Sequence, residues 1–300
     1  MVNINIMKKN IIVVTGGAGF IGSSLIKYFV ENKFKEKIIS IDNYSTGNKK
    51  NHVQNNNVKY LKGENKNINK LLKLYKDKIK VIFHFGEFSR IYQSFIKYKE
   101  CFDYNIHQSS QVIEFAKNNN VKIIYSATSS NLGNKGADEN LSPYAWSKSK
   151  NIELIKNYNK WFGLKYELVY FYNVYGPGQI MKSPMSAVIG IFESLYKKRL
   201  PLTIVRPGTQ RRDFTHISDI VRGCHLAWKK GNQNDYMLGT KKNYSIIEIA
   251  KMFKTNIKYL PSRPGERFGS TIPNNNAKKI LNYSAKIDIK DYVKEFIKKN

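Results

Sequence analysis

A glycine turn set between an apolar strand and an amphipathic helix constrains this chain more than any other feature. Residues 11–14, Ile-Ile-Val-Val, form a short apolar run, and Phe20 to Tyr28 repeat apolar residues at helical spacing. Between them lies Thr15-Gly16-Gly17-Ala18-Gly19-Phe20-Ile21-Gly22. Glycines at those places permit a tight turn and let a pyrophosphate approach the amides at the helix N-terminus. Twenty residues after Gly22, at the end of the second apolar run, stands Asp42. A carboxylate there accepts hydrogen bonds from ribose hydroxyls and repels a 2′-phosphate, so the pattern predicts NAD rather than NADP. The alternative is that Asp42 only opens the turn Asp42-Asn43-Tyr44-Ser45.

Further apolar runs at 37–41, 80–85, 121–126 and 166–170 alternate with helical patterns at 106–117 and 147–162. Strands alternating with helices predict parallel βαβ units, hence an α/β fold with a Rossmann-type doubly wound sheet. After Gly176-Pro177-Gly178 the pattern is broken by Pro184, Pro201, Pro207, Pro261, Pro264 and Pro273. That change predicts a smaller C-terminal α/β domain for the substrate. The expected division is a cofactor domain over 7–175 with a return segment at about 215–240, and a substrate domain over 176–214 and 241–300. Three hundred residues are enough for both units to bury a core.

Tyr144-Ala145-Trp146-Ser147-Lys148 opens a helix, so Tyr144 and Lys148, four apart, project from one face. An ammonium beside a phenol lowers the phenol's pKa and makes it a usable base near neutral pH. Sixteen residues before Tyr144 comes Thr128, in Ser126-Ala127-Thr128-Ser129-Ser130, at the end of an apolar strand. Its hydroxyl can bond the same substrate oxygen. Tyr-x-x-x-Lys alone is common by chance, but it is specific behind a glycine turn, an Asp at the second strand and a hydroxyl-rich strand end.

On these residues the sequence resembles the extended short-chain dehydrogenase/reductase family, in particular its nucleotide-sugar epimerases and dehydratases. The resemblance covers nearly the whole chain. It includes Asp42-Asn43, Asn105 in Tyr104-Asn105-Ile106, Phe171 to Pro177, Arg212 to Asp219, and Arg263-Pro264-Gly265-Glu266. The resemblance implies NAD held by Gly16, Gly19, Phe20, Ile21 and Gly22, together with Asp42, Asn43, Asn105, Tyr144 and Lys148. It implies a nucleotide-sugar substrate with its diphosphate on Asn173, Arg212 and Arg263, its ribose on Glu266, and its sugar beside Ser129 and Ser130. Other readings of these residues are a turn cap for Asn173, an ion pair with Asp213 for Arg212, and surface charge for Arg263. The implied chemistry starts with Tyr144 removing the proton of the C4 hydroxyl while hydride passes from C4 to NAD, giving a 4-keto sugar. A homodimer through the helices carrying Asn105 and Tyr144 is also implied, with Ile106, Val112, Ile113, Ile152 and Ile155 serving core, interface or both.

Two departures from the family pattern bear on the outcome. Dehydratases similar to this chain carry an Asp-Glu pair directly after the threonine, and here Ser129-Ser130 stands in its place. Serine hydroxyls are poor proton donors and acceptors at neutral pH, which favours C4 epimerisation. Where relatives usually read His-Leu-Ala-Ala, this chain reads His84-Phe85-Gly86-Glu87-Phe88-Ser89-Arg90. Glu87 is then either the acid or base of a 4,6-dehydratase or a group that pairs with Arg90. The link from Thr128 to Tyr144 is also short, which implies a more open or differently shaped sugar pocket.

The net charge of +29 invites a polyanion partner, but the lysines are spread along the chain among asparagines and isoleucines rather than clustered. Nucleic acid is therefore not the expected partner. No stretch approaches the roughly 18 apolar residues of a membrane span, and the first ten residues lack a signal peptide's apolar block. Cys101 and Cys224 have no metal or redox spacing, and the five histidines have none with carboxylates. The expectation is a cytoplasmic enzyme without a metal. A non-catalytic NAD-binding or nucleic-acid-binding protein on the same fold is the alternative, and the Thr128, Tyr144, Lys148 set speaks against it.

Overall fold

The computed structural model describes residues 9–132, 138–266, 268–269 and 272–300. Residues 1–8, and part of the short link between Thr128 and Tyr144, lie outside the described residues. β1 (Ile11–Thr15) is buried along its whole length, as expected for an apolar strand covered on both faces. It is followed by α1 (Phe20–Glu31), β2 (Lys37–Asp42), β3 (Val58–Lys62), α2 (Ile68–Leu71) and β4 (Ile79–His84). Then come α3 (Ile91–Ile96), α4 (Tyr98–Phe102), α5 (Ser109–Asn118), β5 (Lys122–Thr128), α6 (Pro143–Phe162) and β6 (Tyr166–Phe171). The later elements are α7 (Val188–Lys197), β7 (Leu202–Val205), β8 (Arg211–Asp213), α8 (Ile217–Lys230), β9 (Asp235–Leu238) and β10 (Asn243–Ser245). The chain ends with α9 (Ile246–Met252), β11 (Ile257–Leu260), α10 (Asn276–Lys279) and α11 (Ile289–Lys299).

Seven strands pair in the order β3-β2-β1-β4-β5-β6-β9, and every pairing is parallel. The chain winds outward from β1 to β3, then returns to β4 on the other side of β1. This reversal opens a crevice beyond the carboxyl ends of β1 and β4, where doubly wound sheets bind ligands. Alternate residues of β1 serve opposite faces. Ile11 and Val13 pack with Val112, Ile113 and Ile155 of α5 and α6. Ile12 and Val14 pack with Leu25, Ile26 and Phe29 of α1 and Ile220 of α8.

A third core joins Ile189 and Phe192 of α7, Ile204 of β7, Ile249 of α9 and Val293 of α11. Around it lie two small sheets, β8 with β10 antiparallel and β7 with β11 parallel. Residues 217–238, as α8 and β9, return to the large sheet, β9 pairing with β6.

The structure departs from sequence expectation in three places. β3 was not anticipated, because an edge strand buries little and its side chains alternate only between half-buried and exposed. Ala277, Leu281 and Tyr283, expected in the substrate domain, pack in the core of the large sheet. The helix expected from Ile106 begins as a π-turn over Asp103–Gln108, a local widening that apolar spacing does not encode.

Candidate active site

One cleft of about 480 Å³ runs from the glycine turn, past the ends of β4 and β5, to α7 and β7. Gly16 has φ +69, and a Cβ there would meet the backbone N of Gly86 at 2.8 Å. A Cβ on Gly22 would lie 2.2 Å from the Gly16 carbonyl oxygen, so only glycine lets α1 start this close to the turn. The first turn of α1 carries no acidic residue, and Gly19 supplies no side-chain cap. Its amides therefore keep their positive end available to an anion. Gly16, Gly19, Phe20, Ile21, Gly22, Asp42 and Asn43 all line this part of the cleft. The Asp42 carboxylate accepts hydrogen bonds from the Ala18 N–H at 2.9 Å and the Tyr44 N–H at 2.7 Å. Its turn-forming role and its place in the cleft are thus both present.

α6 is started by Ser142, whose hydroxyl accepts from the Ala145 N–H at 3.1 Å, with Pro143 at the first helical position. It ends at Gly163 in the left-handed region, φ +70. Its inner face presents Tyr144 and Lys148 to the cleft opposite Thr128, Ser129 and Ser130 at the end of β5. Burial pushes the Tyr144 phenol up to about 12, the Thr128 hydroxyl pulls it back, Glu87 pushes it up further and Arg90 draws it down. Burial likewise pushes the Lys148 ammonium down, and Glu87 pulls it back up.

Glu87 does not pair with Arg90. Its carboxylate, with the side chain only 2 % exposed, is the ion-pair partner of Lys148. It also accepts from Ser109 at 2.8 Å, Tyr125 at 2.9 Å and Asn151 at 3.0 Å. Arg90 instead donates to the carbonyl oxygens of Met185 at 2.6 Å and Ser89 at 2.8 Å. The reason is geometric: the turn after β4 sends Glu87 inward under α6, and Arg90, three residues on, points to the 183–187 loop.

Asn105 is fully buried and not part of the cleft wall, contrary to its expected contact with the cofactor. Its amide accepts from the Phe88 N–H at 2.7 Å and donates to Phe88 O at 3.1 Å and the Ser147 hydroxyl at 2.9 Å. It braces the loop after β4 against α6. His84 is satisfied on both sides, with Thr15 Oγ1 2.7 Å from Nδ1 and Ser109 Oγ 2.9 Å from Nε2, and burial holds it down at about 4.

The far half of the cleft carries Asn173, Arg212, Arg263 and Glu266. Asn173, at φ +28, donates to Asp213 O at 2.8 Å. Arg212 pairs with Glu266 at 3.4 Å rather than with Asp213, whose carboxylate is filled by Thr240 and Lys241. The Arg263 guanidinium lies over the Tyr92 ring at 4.8 Å. Sequence reasoning missed Ile191, Thr203, Val205, Gln210, Ile246 and Leu260, which complete this wall. They come from α7, β7, α9, β11 and the loop before β8, and no spacing in the sequence connects them. Among the described residues no cluster of His, Cys, Asp or Glu is arranged to hold a metal ion.

Residues 12–239 match the sequence model described as the NAD dependent epimerase/dehydratase family. The chain belongs to that family. It is 28 % identical over 306 residues to a putative UDP-glucose 4-epimerase of Methanocaldococcus jannaschii, covering 95 % of this chain and 97 % of that one. Its structure superimposes on UDP-glucose 4-epimerase of Thermotoga maritima, solved with UDP-glucose, with a TM-score of 0.88 and 25 % identity over 96 % of this chain and 97 % of the other. It also matches UDP-glucuronic acid 4-epimerase of Bacillus cereus in complex with UDP-glucuronic acid and NAD, at a TM-score of 0.85 and 27 % identity, over 96 % and 99 % of the two chains.

The cofactor of this epimerase/dehydratase family is NAD, and the site fits it. A turn that leaves no room for a Cβ at Gly16 or Gly22 meets an uncapped helix start with a carboxylate beside it. Replacing Asp42 with alanine removes the charge that disfavours a 2′-phosphate. The expected result of titrating both cofactors is weaker NAD binding and a smaller preference over NADP in Asp42→Ala. A wild type that binds NADP more tightly than NAD contradicts the assignment.

Proposed function

We propose that this member of the family is a nucleotide-sugar 4-epimerase. Tyr144 takes the C4 hydroxyl proton, Thr128 holds that oxygen in line, and Lys148 supports the phenol from one turn further along α6. NAD, when bound, would supply the hydride acceptor and donor that oxidation and re-reduction at C4 require. Arg212, Arg263 and Asn173 are proposed to hold the diphosphate, with Glu266 orienting Arg212 and reaching the ribose.

The observation that carries this reading is the state of the carboxylates. Among the described residues three line the cleft: Asp42, Glu87 and Glu266. Asp42 lies at the glycine turn, Glu266 pairs with Arg212, and Glu87 is spent on Lys148 and three further donors. Ser129 and Ser130 occupy the sugar end instead. Epimerisation needs no group for C5, whereas a 4,6-dehydratase must abstract the C5 proton and expel water from C6. The runner-up reading assigns that task to Glu87.

Exposed apolar side chains support a homodimer. Of the positions that the sequence left open between core and interface, Val112, Ile113, Ile152 and Ile155 pack in the core and Ile106 is half-buried. The exposed residues nearby are Ile96 at 61 %, Tyr98 at 49 %, Trp146 at 38 % and Phe102 at 37 %. Phe102 lies edge-on to Trp146 at 5.6 Å and to Tyr98 at 6.5 Å, forming one aromatic patch across α4 and α6. A second copy packed helix to helix covers such a patch.

Three outcomes follow. Tyr144→Phe keeps the packing and deletes the base, so turnover falls at least ~10²-fold while nucleotide-sugar binding persists. Near wild-type turnover contradicts the mechanism. Reaction in deuterium oxide returns product of unchanged mass without deuterium at C5; loss of water together with C5 deuterium replaces the epimerase reading by the dehydratase. Light scattering at micromolar concentration gives a dimer mass for the wild type and a monomer for Trp146→Glu, and a monomeric wild type removes the dimer.

A further inference from the structure

We propose that Glu87 is a positioning residue, a buried carboxylate that pins the Lys148 ammonium beneath the reacting end of the cleft. The inference rests on the reading of Tyr144 and Lys148 as the working pair. Lys148 Nζ donates to Glu87, to the Ser126 carbonyl oxygen and, at 3.3 Å, to the Ser126 hydroxyl, and it lies 4.5 Å from the centre of the Tyr125 ring. All three N–H bonds are therefore directed by this chain's own atoms.

Glu87 is itself held from several elements. Ser109 of α5, Tyr125 of β5 and Asn151 of α6 donate to the same oxygen, and Lys148 takes the other. The loop that carries Glu87 is anchored at Phe85 and Gly86 by Thr15 Oγ1, 3.1 Å from each N–H, and at Phe88 by Asn105. A carboxylate with four donors and a fixed backbone is a rigid reference point for a flexible lysine stem.

The pair also decides the charge of Lys148. The titratable groups around it are His84, Cys101, Tyr125 and Tyr144, with Arg90 beyond Tyr144. Burial keeps His84 neutral, holds the Cys101 thiol up at about 11, and leaves both phenols protonated near neutral pH. Glu87 is then the one formal negative charge facing Lys148 among the described residues. An ammonium in a dry site without that partner loses its proton more readily. Glu87 thus keeps Lys148 in its charged form.

The test reads Lys148 directly. Trace acetylation of the full chain with acetic anhydride across a pH series, resolved by peptide mass, gives the pH midpoint at which Lys148 becomes reactive. Substituting Glu87→Gln is expected to lower that midpoint by about one pH unit or more, and to move the alkaline limb of kcat/KM in the same direction. Glu87→Asp keeps the charge at a longer reach and is expected between the two. If the amide variant does not fold, the aspartate variant alone carries the comparison. A Lys148 midpoint equal to the wild type's overturns the proposal, even where stability or turnover has fallen, because a merely structural role predicts that result. The labelling needs neither substrate nor turnover, so failure to convert any nucleotide-sugar sinks the functional reading and leaves the Lys148 outcome to stand or fall separately.

Discussion

Two loops that leave neighbouring strands meet backbone to backbone, and the site is built on that contact. Gly16 at the end of β1 and Gly86 after β4 approach so closely that a Cβ on either meets the other's backbone N within 2.9 Å. Thr15 ties the two loops together, accepting from the Phe85 and Gly86 N–H groups and donating to His84. The contact lies where strand order reverses, so the same few residues shape the cofactor cradle and send Glu87 under α6. A side chain at Gly16 would displace the start of α1 and the β4 loop together.

The polar interior beneath the cleft follows from that placement. Thr15, His84, Ser109, Glu87, Tyr125, Asn151 and Lys148 form a connected set of hydrogen bonds in which His84 serves as a neutral link. The network gives His84 Nε2 a proton to donate to Ser109, and Ser109 one to donate to Glu87. Buried polar groups are costly when partners are missing, and here each has one. The pair Glu87–Lys148 adds little stability over an apolar pair, since desolvation offsets much of the attraction. Its value is in fixing where one ammonium stands.

The electrostatics around Tyr144 are a balance rather than a single strong field. Burial holds the phenol protonated, with Glu87 on the same side, while Thr128 and Arg90 oppose them. Lys148 sits with its charge already answered by Glu87. The phenol is therefore held in its protonated form by the chain itself.

The sequence alone determined the α/β class, the parallel winding and the glycine turn, and it singled out Thr128, Tyr144 and Lys148, which the structure brings to one cleft. Each of these rests on local physics: glycine where φ is positive, apolar runs at strand length, and four-residue spacing on one helix face. What it left open was where side chains from distant segments meet. Glu87 could be read as a catalyst or as a partner of Arg90, and the structure gives it to Lys148, 61 residues away in the chain. Asn105, expected on the cofactor, is buried within the turn Asp103–Gln108 and braces Phe88. The wall formed by Thr203, Val205, Gln210 and Leu260 had no sequence signal at all. Burial and ion pairing depend on the packing of elements far apart along the chain, and only the tertiary structure decides which of them come together.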